Sequence, residues 1–217
     1  MRHPGRALVL SFVSMNEFIA VAAVVIVAWF AAGTIWNIRA GRALMRWMQD
    51  GLAVLGSRTT VRWLGSTVAE LVIADARPPF TRVTLVIFLE PRDLPWWPLS
   101  RALGRRDTFI IRGATRRAPQ HEFEALDPAS WSGRNARVPR EWTAREGAIV
   151  VYYENPAALA RADALIERAR NAGLQIRRLS VRRAETAIQL HLPLPERQRQ
   201  AREFFEAIHD LSELALT

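Results

Sequence analysis

The stretch from Phe18 to Trp36 reads FIAVAAVVIVAWFAAGTIW and holds no charged residue and no proline. Wound as an α-helix at about 1.5 Å per residue it is roughly 28 Å long, close to the hydrocarbon thickness of a bilayer. A helix of a soluble protein keeps a polar face, and this run has none over five turns. It is therefore expected to be a transmembrane helix, residues 18–38. The rival expectation is a cleaved signal peptide, with Ala31 and Gly33 as small residues near a cleavage site. Against cleavage, the apolar run outlasts the usual core of ~7–15 residues and continues through Ile35 and Trp36.

Arginine asymmetry sets the expected orientation. Arg39, Arg42 and Arg46 follow the span; Arg2 and Arg6 precede it, with Glu17 at its entrance. If translation starts at Met15, the amino-terminal flank carries no basic side chain and the bias becomes clear. The carboxy-terminal region is placed in the cytoplasm of a single-pass protein of the cell membrane. Beyond the span, Ile38, Met45, Met48, Leu52 and Leu55 form one helical stripe and Arg39, Arg42, Arg46 and Asp50 another. With Trp36 and Trp47 this describes an amphipathic helix, residues 39–58, leaving the bilayer through the headgroup layer or packing on the soluble domain.

From Thr59 the periodicity changes to short apolar runs rich in β-branched residues. Strands are predicted at Thr60 to Leu64, Val68 to Ala74, Arg82 to Glu90, Thr108 to Arg112 and Glu122 to Leu126. The third, RVTLVIFLE, is almost continuously apolar, as in a strand covered on both faces. Residues 128–147 lack periodicity and are rich in Pro, Gly, Ser and Arg, so they read as a long loop between a β-rich half, 59–127, and a second half, 148–217. In that second half the order is strand (Ala148 to Tyr153), helix (capped by Asn155, opened by Pro156, stopped at Gly173), strands (Leu174 to Val181, Ala187 to Leu192) and a last helix opened by Pro195. The fold class is α+β, one transmembrane helix followed by a soluble domain with a largely antiparallel sheet. Its βαββα half has the element order of a split βαβ, ferredoxin-like unit, a likeness of topology that carries no function. A chain beginning at Thr59 is expected to fold by itself.

Composition excludes more than it assigns. All 30 basic residues are arginine against 21 acidic ones, a net charge of +9 that favours anionic partners. Without lysine there is no Schiff base, lysine base or phosphate-loop lysine, and without cysteine no disulfide, thiolate chemistry or cysteine-bound metal. GxSxG, HExxH, EF-hand and phosphate-loop patterns are missing. The four histidines, His3, His121, His191 and His209, have no metal-ligand spacing, and no cofactor is expected. Glu122 and Glu124 share a strand face, which reads as a solvated face. In IRRLSVRR, Arg178 and Arg182 point to one side while Leu179 and Val181 point to the other, with no interleaved aromatics of the kind that stack on nucleic acid.

One segment stands out. In LPWWPLSRALGRR, residues 94–106, two prolines stiffen Trp96 and Trp97, and Arg101, Arg105 and Arg106 follow. The expected membrane-interface residues are Trp36, Arg39, Arg42, Arg46, Trp47, Trp96, Trp97, Arg101, Arg105 and Arg106. The competing expectation buries Trp96 and Trp97 against the loop that carries Trp131 and Trp142. The function expected is that of a membrane-anchored interaction or scaffold module whose basic face meets anionic lipid headgroups or an acidic protein partner. Two alternatives stand beside it: a membrane-bound enzyme acting on a phosphorylated or lipid-linked substrate, and a membrane-tethered nucleic-acid-binding domain.

Overall fold

A computed structural model describes residues 15–196 and 199–216. The flank that holds Arg2, His3 and Arg6 lies outside the described residues. The apolar run does not end where the basic helix begins: α1 is one unbroken helix, Met15–Gln49, long and apolar enough to cross a membrane. From 15 to 32 every side chain is exposed except the half-buried Ala22. Those 18 residues would span about 27 Å.

Burial starts at Gly33 and then follows Asn37, Gly41, Leu44 and Met48, spaced four, four, three and four apart on one face. This face lies beside the apolar stripe expected from sequence, because glycine and asparagine supply its upper half. Their size is the reason. A Cβ on Gly33 would come within 2.3 Å of the Arg92 carbonyl oxygen, and one on Gly41 within 2.4 Å of the Trp63 ring. Only glycine lets the backbone at Arg92 and the ring of Trp63 approach so closely.

A 3-10 turn, Leu52–Val54, leads into nine strands: β1 Gly56–Trp63, β2 Val68–Ala76, β3 Phe80–Phe88, β4 Thr108–Thr115, β5 Phe123–Leu126, β6 Thr143–Arg145, β7 Val150–Tyr153, β8 Arg178–Val181 and β9 Ile188–Pro193. They form one sheet in the order β1-β2-β3-β4-β9-β8-β5-β7-β6, and every neighbouring pair is antiparallel. The remaining helices are α2 Trp97–Ala102, α3 Trp131–Arg134, α4 Pro156–Asn171 and α5 Ala201–Leu214. The segment expected to be a bare loop therefore carries α3 and β6. The last helix starts at Ala201, six residues after Pro195.

The helix α4 is capped as expected: the Asn155 side chain accepts from the Ala158 N–H at 2.9 Å, with Pro156 in the first turn. It joins β7 to β8, and both pair with β5, which lies between them. The far side of β8 meets β9, which pairs in turn with β4. Element order in sequence does not specify that pairing.

The core lies between one face of the sheet and the helices. Leu71, Ile73, Leu85, Ile87, Phe109 and Leu190 face α4, α5 and the lower half of α1. The rings of Phe204 and Phe205 pack on Phe109, with centroids 5.8 and 6.2 Å away, and on Trp47 from α1. Leu44, Met48, Leu52 and Leu55 belong to this same core, so a chain beginning at Thr59 lacks part of it. Among the described residues no helix layer covers the opposite face of β3. Phe88 there is 41% exposed, which corrects the expectation that RVTLVIFLE is covered on both sides.

Candidate membrane-facing site

The segment after β3 is held against α1 by a compact polar network. The Glu90 carboxylate is 2% exposed and accepts from the Trp97 indole N–H at 2.5 Å and from the Arg101 guanidinium at 2.8 and 3.1 Å. Asp107 accepts from the Glu90 backbone N–H at 2.6 Å and from Arg92 at 2.7 Å. The other arm of Arg92 reaches the buried Asn37 side chain of α1 at 3.1 Å. Charge-assisted bonds of this kind fix direction as well as energy. They orient α2 beside α1, where the Trp36 and Trp97 rings meet at 6.2 Å and the Arg92 guanidinium lies 5.8 Å from the Trp36 ring.

This arrangement separates the two tryptophans. Trp97 is half-buried and hydrogen-bonded, whereas Trp96 is 59% exposed. Trp96, Leu99 and Leu103 are spaced three and four apart and share the outer side of α2; the two leucines are 63% and 71% exposed. Ile35 and Trp36 are also exposed on α1, just beyond Gly33. Single exposed apolar side chains are ordinary, but several large ones grouped where a helix of bilayer length meets the domain are not.

The structure brings Trp36, Trp97 and Arg101 together, with Trp96 next to them. Arg39, Arg42, Arg46, Arg105 and Arg106 are exposed. Trp47 is elsewhere: its indole N–H donates to the Arg199 carbonyl at 2.7 Å and its ring packs on α5. Neither Trp131 nor Trp142 reaches the Trp96–Trp97 pair; Trp131 is 60% exposed and Trp142 stacks under Arg182, 4.9 Å from the ring. Glu90, Leu99 and Leu103 are not among the interface residues expected from sequence. A carboxylate closing an apolar strand and an apolar i, i+3, i+7 triplet were the available signals.

The sheet face away from the helices forms a second feature. Cross-strand register sets Arg112 opposite Gln189, Gln189 opposite Ser180 and Ser180 opposite Glu124 in one row, and Ile110, His191 and Arg178 in the next. Glu124 is fully buried, which overturns the solvated face expected for it. It accepts from the Arg178 Nε, from Ser180 at 3.0 Å and from Arg182 at 2.7 Å. The inward side of IRRLSVRR is Leu179 and Val181, as its alternation requires. Over this face the chain leaves a cleft of about 830 Å³ between the segment after α2 and the start of α3. Among the described residues no group of three His, Asp or Glu side chains could hold a metal ion.

No protein-family model and no curated protein matches this chain.

Proposed function

We propose that the chain is a single-pass membrane protein whose α+β domain lies against the bilayer surface and acts there as an interaction or scaffold module for anionic headgroups or an acidic partner. One observation carries this reading. Exposure of α1 on all its sides stops at Gly33, where the domain docks, and α2 is fixed at that level with Trp96, Leu99 and Leu103 outward. A bilayer around residues 15–32 puts those side chains at its interface, where amphipathic indoles and apolar tips are favoured. The continuity of α1 past Ala31 and Gly33 supports a retained anchor over a cleaved signal, since Gly33 to Met48 is the face that docks the domain.

Arg39, Arg42 and Arg46 lie exposed just past the docking point and favour a cytoplasmic domain. The anchor also raises the local concentration of lipid surface, so a weak second contact suffices. The full chain should remain in the membrane pellet after high-salt and alkaline washes, and protease added to intact cells should spare the domain. Release by the washes would overturn the span, and cleavage from outside would overturn the orientation.

A further inference from the structure

The cleft on the open sheet face is a basic site with its acids already engaged. Arg105, Arg106, Arg112, Arg177 and Arg178 line it. Its two acidic lining residues are Glu90, bound by Trp97 and Arg101, and Asp107, bound by Arg92 and a backbone N–H. Arg177 and Arg178 pair with Asp127 and Glu124, whereas Arg112 is exposed and makes no ion pair among the described residues. The cleft thus holds positive charge without a free carboxylate to receive a cation.

At its floor His191 is 5% exposed. One ring nitrogen, Nε2, lies 2.5 Å from the Gln189 amide, while Nδ1 has no hydrogen-bond partner among the described residues. Burial, with Arg178 and Arg112 nearby, pushes its pKa down to about 3, so the ring is neutral at physiological pH. With Nε2 accepting from Gln189, the tautomer assigned from that contact leaves Nδ1–H as a buried donor with nothing to bind. Such a group costs about 1–3 kcal/mol while it stays unpaired.

The walls are of another kind. Val68, Phe88, Leu94, Ile110 and Trp131 give the cleft apolar sides. One end is built by the loop of Glu90 to Leu94, the same loop that docks on Gly33 at the end of the exposed part of α1. We propose that this cleft binds a phosphate ester, with Arg112 and His191 as partners of the phosphate oxygens and the apolar walls holding an attached hydrocarbon. The volume lies within the roughly 300–1,000 Å³ of small-ligand sites. The proposal rests on the membrane reading only for the source of the ligand, a lipid of the adjoining leaflet as against a water-soluble phosphate ester.

Equilibrium dialysis of the full chain in neutral maltoside micelles separates these possibilities, with three probes: dihexanoyl phosphatidic acid, glycerol 3-phosphate and dihexanoyl phosphatidylcholine. Saturable binding of a phosphate monoester, one per chain, is expected. Arg112→Gln should weaken it at least tenfold, while Arg116→Gln, on an exposed position outside the cleft, should leave it unchanged. Arg112 has no ion pair to lose, so unfolding temperature should not distinguish the two variants. Tighter binding of phosphatidic acid than of glycerol 3-phosphate identifies a lipid source, and equal binding a soluble one. The proposal is overturned if neither phosphate binds saturably, if Arg112→Gln binds as the parent does, or if phosphatidylcholine binds as well as phosphatidic acid. The assay contains no bilayer, so its failure leaves the contact of α2 with the membrane untouched.

Discussion

Trp96 and Trp97 are adjacent in sequence and opposite in environment, because Glu90 takes one indole and leaves the other outside. Removing them should therefore have different effects on stability. Trp97→Ala takes a donor from a carboxylate that is 2% exposed and removes a half-buried ring from the α1–α2 contact. A loss of about 2 kcal/mol is expected in chemical unfolding. Trp96→Ala removes an exposed side chain and should stay within about 0.5 kcal/mol of the parent. Equal losses for both would show that Glu90 does not sort them. From sequence the pair was legible as unusual, but its division was not, since the deciding carboxylate closes the preceding strand. His191 and Glu124 were likewise illegible: their burial is set by cross-strand neighbours that lie far along the chain.

At the scale of elements, α1 was legible as an apolar span followed by a basic amphipathic stretch. Its continuity and its docking face were not, because Gly33, Asn37 and Gly41 carry no hydrophobic signal. Strands and helices of strong periodicity, such as β2, β4 and α4, lie within a few residues of their expected places. The short α3 and β6 carry too few residues to show a period. The lower half of α1 and the turn after it supply Leu44, Met48, Leu52 and Leu55 to the core, each worth about 1.5–3 kcal/mol when fully buried. A chain beginning at Arg39 should unfold cooperatively in urea, whereas one beginning at Thr59 should be several kcal/mol less stable or not fold at all. Equal stability of the two would mean that α1 packs on a domain already complete without it.

For the whole molecule, the α+β class and antiparallel character follow from local pattern, while the strand order does not. The pairing of β5 with β7 and β8, and of β9 with β4, joins segments separated by intervening helices and strands, and no local periodicity reports it. That pairing matters because it assembles the open face and its cleft. The same architecture holds α2 next to the point where α1 becomes exposed, which on the proposed reading sets the domain against the bilayer. The chain has no cysteine, so a single introduced one can be labelled without background. Spin labels at Leu99→Cys and Arg82→Cys, in the full chain reconstituted into anionic nanodiscs, would report depth through their relative accessibility to oxygen and to a water-soluble nickel chelate. The label at 99 should be more accessible to oxygen and shielded from nickel, and the label at 82 the reverse. Equal exposure of both labels to nickel would contradict a domain that rests on the membrane through α2.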